Sequence, residues 1–224
     1  MQAQQEIKKL SDMVYDKLCD ALLKGRYLPG KRLKIRELAE EMQTSVTPVR
    51  DAILRLHYDE AVIYNSPRSI HVTSLTKARY EEIRKIRLPL EVMSARAAAQ
   101  YATMSDIGAL EALIAENEDV IIKGDGIRGA ALNQQFHFKL VEMSAMPVLY
   151  GVLRRLWLQT GPLIAHGYLE AGRAMIDHHY EVLDAIRNKD VEAAAIAIER
   201  DLTLGGAPLV RMLDKLADGA HPPA

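Results

Sequence analysis

Four polar side chains in the second half of the chain have the types and spacing to hold a divalent metal. Asn133 and His137 are four residues apart, so on a helix they project from one face. His179, with His178 beside it, falls in a later helical stretch, and Asp201 in the last long one. Two imidazoles with oxygen donors from three helices would suit Zn²⁺, Ni²⁺ or a related ion. The same types also occur as solvated groups on helix surfaces, and spacing alone leaves both readings open. No nucleophile elbow, P-loop or dinucleotide fingerprint is present, and no general base stands near these residues in a recognisable motif.

A different chemistry is written in Ile35 to Leu56, IRELAEEMQTSVTPVRDAILRL. Ile35, Leu38, Ala39 and Met42 recur at helical spacing and predict one buried face. Gln43, Thr44 and Ser45 make a polar break. Thr47 then offers a capping hydroxyl, and Pro48 sits where a first helical residue needs no amide donor. Val49, Ala52, Ile53 and Leu56 face inward, which leaves Thr47, Arg50, Asp51 and Leu54 outward. Two crossed helices whose second presents Thr and Arg from its first turn suit a DNA major groove. The six charged residues from Lys24 to Arg36 are all positive, a collar fit for phosphates.

These stretches must be positioned by a chain of 224 residues that is 49% apolar, enough for one large or two modest domains with a substantial core. The formal net charge is −1, but it is divided: up to Leu75 there are 12 Lys and Arg against 10 Asp and Glu, and 17 against 20 thereafter. The basic surface is therefore N-terminal. A lone cysteine, Cys19, forms no internal disulfide and reads as a small core residue. With no signal core and no bilayer-length apolar run, the expectation is a soluble protein of the reducing cytoplasm.

Leu10, Val14, Leu18, Ala21 and Leu22 predict a first helix over about Ser11 to Lys24, ended by the turn Tyr27-Leu28-Pro29-Gly30. After the helix pair, Ala61 to Tyr64 and Ile70 to Thr73 read as short strands around the turn Asn65 to Ser69. Arg68 at that tip would reach a minor groove or a phosphate. From Ser74 onward the pattern is helical. Ser74 or Thr76 caps a long helix, Ser105 the next, and Gly124-Asp125-Gly126 breaks it. Further helices are expected over Ile127 to Met143, Pro147 to Ile164, Leu169 to Arg187 and Val191 to Thr203, with breaks at His166-Gly167 and Gly205-Gly206. Ala207 to Leu216 adds a last amphipathic turn or two, and Asp218 to Ala224 a frayed tail. The fold class is mainly α: a winged helix-turn-helix over residues 1–75 and an antiparallel bundle of six or more helices over 76–224.

The order of YLPGKRL, IRELAE, TSVTPVRDAILRL and a hairpin resembles the N-terminal domain of the GntR family of bacterial transcription regulators. The resemblance implies that Arg36, Ser45, Val46, Thr47 and Arg50 contact operator DNA. Val46 stands where the family usually has Arg or another polar residue, and offers only an apolar contact such as a thymine methyl. Ser69 stands where the wing tip usually has Gly, which alone reaches positive φ without penalty.

RLPLE (Arg87 to Glu91), NQQFH (Asn133 to His137) and HYEVLDAIRNKD (His179 to Asp190) resemble the FCD effector domain of the FadR-like branch. Many members hold a divalent metal with Asp or Asn four residues before a His plus two later His, and small carboxylates bind against it. The resemblance implies Asn133, His137, His179 and Asp201 as ligands, with Asp201 replacing the last His. A polar cavity binding an organic acid directly, with Arg87 as its forked partner, is the alternative. Arg87 can equally pair with a Glu of the bundle. The resulting expectation is a homodimeric regulator with double-stranded operator DNA and a small carboxylate effector as partners, no membrane, and Zn or Ni as the possible cofactor. A metal-dependent enzyme and a protein-binding helical scaffold are the competing classes.

Overall fold

The computed structural model describes residues 2–217. The tail predicted to fray, Asp218 to Ala224, lies outside the described residues. Helix α1 (Gln2–Leu23) starts well before the predicted Ser11 and buries Val14, Leu18, Cys19 and Leu22. It closes in a Schellman motif: the Gly25 amide donates to the Leu22 carbonyl at 3.0 Å and the Arg26 amide to Ala21 at 2.8 Å. Gly25 takes a φ of +69° there, which only glycine reaches cheaply.

Helices α2 (Ile35–Glu41) and α3 (Val46–Tyr58) bury the predicted faces, Ile35, Leu38 and Ala39 on one, Val49, Ala52, Ile53 and Leu56 on the other. The start of α3 differs from expectation. Ser45, in extended backbone, is its N-cap, without a side-chain cap bond, and Thr47 is already helical. Pro48 lies within the first turn, where amides have no intrahelical acceptor, so the missing donor costs nothing. Strands β1 (Val62–Ser66) and β2 (Ser69–Val72) pair antiparallel, Val62 opposite Val72 and Tyr64 opposite Ile70. The segment before α2 adds to this hairpin: the Leu33 amide donates to Ile70 and the Val72 amide to Lys31, both at 2.9 Å. Ser69 does not take a positive φ, so the absence of glycine at the wing tip carries no backbone penalty.

The helical body comprises α4 (Lys77–Tyr101), α5 (Met104–Lys123), α6 (Gly126–Met143), α7 (Pro147–Ala171), α8 (Asp177–Arg187), α9 (Val191–Arg200) and α10 (Ala207–Ala217). Thr76, not Ser74, caps α4. Helix α5 is capped by Thr103 rather than Ser105, in a box where Thr103 and Asp106 each accept the other's amide. Gly124 ends α5 in the left-handed region, and Asp125 caps α6.

Three predicted boundaries are corrected. Helix α7 runs on through Pro162 and His166-Gly167 to Ala171. Gly167 is small because a Cβ there would meet Leu209 at 2.5 Å, so it serves packing and breaks nothing. A 3₁₀ turn, Gly172–Met175, separates α7 from α8, which starts at Asp177 rather than Leu169. The stretch predicted to end at Thr203 becomes a π-helical turn, Asp201–Gly205, directly after α9.

Two main cores result. One is formed by α4, α5, α6, α8 and α9 around Leu110, Phe136 and Ile198. The other joins α1, α2, α3 and the hairpin to the inner faces of α7 and α10 through Leu18, Leu22, Ile53, Leu158 and Leu209. The second is possible because α1 and α7 meet backbone to backbone. A Cβ on Gly161 would lie 2.8 Å from the Leu22 carbonyl oxygen, and one on Gly25 would lie 1.9 Å from the Ala165 Cβ.

Gly25→Ala therefore combines a left-handed alanine, about 1–2 kcal/mol, with a steric overlap at the α1–α7 contact. We expect a loss of at least about 2 kcal/mol in urea unfolding. Gly151→Ala, in α7 with nothing near its would-be Cβ, should be neutral or stabilising by up to about 1 kcal/mol. Equal stability of the two variants would contradict this packing.

Candidate functional site

Two regions carry chemistry. The first is a groove of about 510 Å³ between the start of α3, the start of α2 and the wing, lined by Arg32, Lys34, Arg36, Val46, Arg50 and Arg68 among others. Its cations have a simple origin. The chain enters α2 through the basic collar, α3 turns its first-turn outer edge to the same side, and the hairpin returns Arg68 to face them. Arg36, Ser45, Val46, Thr47, Arg50 and Arg68 are all exposed, while Ser69, half-buried, opens β2. Arg32 of the collar donates to the Arg68 carbonyl at 2.6 Å and so ties the wing tip to it.

The second region is a cavity in the helical body, about 30 Å³, lined by Tyr80, Arg87, Asn133, His137, Trp157 and Asp201 with an apolar wall that includes Met175 and Leu209. Arg87 and Glu91 stand one turn apart on α4, and Arg87 Nε donates to Glu91 Oε1 at 2.7 Å. Trp157 Nε1 of α7 donates to the same oxygen at 3.1 Å. Glu91 Oε2 lies 2.7 Å from His137 Nδ1 of α6. The Arg87 guanidinium stacks 4.1 Å above the Trp157 ring, and its Nη1 reaches Thr160 Oγ1 at 3.4 Å. Arg87 therefore has the Glu partner that the sequence allowed; its Nε and Nη1 are engaged by Glu91 and Thr160, and the residue lines the cavity.

Beyond His137 the chain of polar groups continues. His137 Nε2 is 3.3 Å from Asp201 Oδ2, and His179 Nε2 is 3.4 Å from Asp201 Oδ1. Ligand atoms of His137, His179 and Asp201 all lie within 4.8 Å of one another. Asn133 lines the same cavity one helical turn before His137, while His178 is outside it, paired with Glu181 at 3.0 Å. The π-helical turn places Asp201 here. Phe136 orients His179 by stacking on it at 3.9 Å with an 11° interplanar angle.

Burial opposes charge on Glu91, His137, His179 and Asp201, and their neighbours decide the outcome; for Asp201 the two imidazoles win and its pKa is lowered. For Glu91, burial would raise the pKa, but Arg87 and His137 outweigh it and hold the carboxyl at about 2. For His137, burial would lower it, but Glu91 and Asp201 push it up to about 9. His179 has burial with too little to oppose it and falls to about 4. Its Nε2 is buried without a hydrogen-bond partner. Such an orphan is costly unless something else takes the lone pair.

The donor set fits a divalent cation. Two ligands on a tetrahedral Zn²⁺ with bonds of 2.0–2.1 Å sit about 3.4 Å apart, close to the spacing of Asp201 from each imidazole. Glu91 on His137 Nδ1 is the carboxylate that commonly orients a ligating imidazole and leaves Nε2 for the metal. The residues that sequence reasoning missed are Glu91, Trp157, Tyr80 and Thr160. Of these only Glu91 carried a signal, four residues after Arg87 within RLPLE.

Each region lies within a stretch of the chain that matches a known family. The family described as bacterial regulatory proteins, gntR family, matches residues 10–72, and the FCD domain matches residues 82–204. The HTH-type transcriptional regulator McbR of Escherichia coli K12 is 31% identical over 75% of this chain and 78% of its own. The HTH-type regulator YdhC of Bacillus subtilis is 26% identical over 80% and 82%. The solved structure of E. coli McbR/YncC superposes with a TM-score of 0.83 at 28% identity, covering 91% of this chain and 98% of that one. These relatives are transcription regulators rather than enzymes. The chain belongs to the GntR family of DNA-binding transcription regulators, in the branch whose helical body is an FCD domain.

Proposed function

We propose that residues 1–75 read operator DNA and that residues 76–224 sense a small carboxylate, through a divalent metal, and pair two copies of the chain. The groove between α3 and the wing carries the first half of this reading. Arg36, Ser45, Val46, Thr47 and Arg50 meet the major groove, Val46 by an apolar contact, and Arg68 with Ser69 meets the flanking backbone or minor groove. Exposed Ile86 and Met93 on α4 and Val148 and Val152 on α7 support a homodimer, which would span a pseudo-palindrome. Among the described residues no helix is long and apolar enough to cross a membrane. The proposed site of action is the cytoplasm, where the operator is.

The unpartnered His179 Nε2 beside Asp201 carries the second half. His137, His179 and Asp201, with the Asn133 carboxamide, would hold Zn²⁺, Ni²⁺ or a similar ion. The ion would supply a positive centre for a carboxylate oxygen. The Arg87 guanidinium would take the rest of the anion. The volume of about 30 Å³ suits little more than water, so an organic acid enters by displacing the wall of Met175, Leu202 and Leu209. Met175 and Leu202 of that wall stand on the 3₁₀ and π-helical turns, the least regular parts of the body, and Leu209 on α10.

Arg50→Ala should weaken binding to the intergenic DNA beside the protein's own gene by about 1–3 kcal/mol and relax base preference, as read by mobility shift. Wild-type affinity in that variant would refute the assigned reading face. For the pocket, stripping metal with a chelator and restoring it at 100-fold excess over Kd should add about 2.7 kcal/mol of stability. His179→Ala should abolish the response and the bound metal seen by elemental analysis. Retention of stoichiometric metal by His179→Ala would remove this residue from the ligand set.

A further inference from the structure

The recognition helix α3 ends on groups supplied by the helical body. Its C-cap is Asp59, followed by Glu60 at a φ of +61° in a second Schellman motif. Arg155 Nη2 of α7 donates to the Tyr58 carbonyl at 2.6 Å, and Arg155 Nε lies 3.5 Å from the Asp59 carboxylate. Gln159 Nε2, one turn further along α7, donates to the Asp59 carbonyl at 3.3 Å. Gln159 Oε1 accepts from Arg79 of α4 at 3.4 Å, and Arg79 also pairs with Glu60. Tyr15 of α1 completes the set, its hydroxyl donating to Asp59 Oδ2 at 2.6 Å. Cationic and amide donors on the last carbonyls of a helix satisfy groups that the helix cannot pair itself and oppose its dipole.

The same stretch of α7 carries two pocket residues on another face. Trp157 donates to Glu91 and lies under Arg87, with its ring 5.1 Å from that of His137. Thr160 accepts from Arg87. Residues 155 to 160 of one helix rise only about 7.5 Å, and a continuous helix moves as a unit over that length. Any change in what Glu91 and Arg87 hold is thus felt by the segment that clamps the end of α3.

We propose that this segment of α7 is the coupling element between pocket and operator, and that Arg155 and Gln159 are positioning residues for the recognition helix. The proposal deepens the sensing role assigned to the body but takes from it only the location of the pocket, not what fills it. Coupling between two sites is reciprocal, so DNA bound at α3 must alter the surroundings of Trp157. Trp157 is the single tryptophan of the chain, so its emission reports the pocket alone.

The test is a titration of full-length protein with the intergenic duplex, with saturation followed by anisotropy of labelled DNA and the pocket by Trp157 fluorescence. Wild type should show a change in Trp157 emission that tracks DNA saturation. Arg155→Ala with Gln159→Glu, the second an isosteric change that turns the donor amide into a carboxylate repelled by the Asp59 carbonyl, should still bind the duplex, within about tenfold of wild type, and lose the emission change. An unchanged wild-type emission at full saturation overturns the proposal, as does a double variant that keeps the wild-type response. Arg155→Ala alone alters a half-exposed side chain and secures the measurement if the double variant folds poorly; it should reduce the emission change, and an undiminished change counts against the clamp. Failure of the protein to take up metal would sink the proposed ligand set and leave this result standing.

Discussion

A single buried carboxylate governs the geometry of the helical body. Glu91 is removed from water and must be satisfied by protein alone. Its three donors come from α4, α6 and α7: Arg87, His137 and Trp157. Hydrogen bonds to a charged group contribute about 1.5–3 kcal/mol each, and leaving such a group unpaired costs more than the bonds return. The three helices are therefore fixed relative to one another at this point. The geometry also explains why His137 bears charge in a place where burial alone would remove it.

The network has one loose end, and it lies beside Asp201 of the cavity wall. Arg87, Glu91 and His137 neutralise one another in sequence, and Asp201 closes on His137. Only His179 is left neutral with an idle nitrogen. A pocket built for structure alone would have a hydrocarbon here, since buried polar groups rarely stabilise more than well-packed apolar ones. The orphan is also where local irregularity gathers. The π-helical turn that presents Asp201 is a local rearrangement of a kind often found at functional sites.

Helix α7 belongs to both halves of the molecule. Its small residues let α1 approach to backbone contact, its apolar face enters the N-terminal core, and its polar residues reach both the pocket and the end of α3. A proline within it, Pro162, forfeits one internal hydrogen bond, yet the helix continues, because the surrounding packing exceeds that loss. The N-terminal winged domain is consequently docked on the helical body rather than tethered to it by a loose linker.

Much of this was legible in the order of residues. The periodicity of α2 and α3, the turn-rich break before Ser45, the strand-like runs around Pro67 and the one-turn spacing of Asn133 and His137 are local features, and local features survive in sequence. So did His137 and His179, which family motifs marked, and Asp201, read as the stand-in for a further His, which the fold brings to them. Helix ends were read less well. Thr47 and Ser105 offered good capping chemistry, but the neighbouring Ser45 and Thr103 take those roles because the preceding turns deliver the chain there. His166-Gly167 looked like a break because composition cannot distinguish a glycine that ends a helix from one that admits Leu209. What only the tertiary structure decided was partnership: that Arg87 is answered by Glu91, that Trp157 faces His137, and that Arg155 and Gln159 close the end of α3. Those pairs are set by how helices far apart in sequence cross one another. No spacing along the chain encodes which donor will find which buried acceptor.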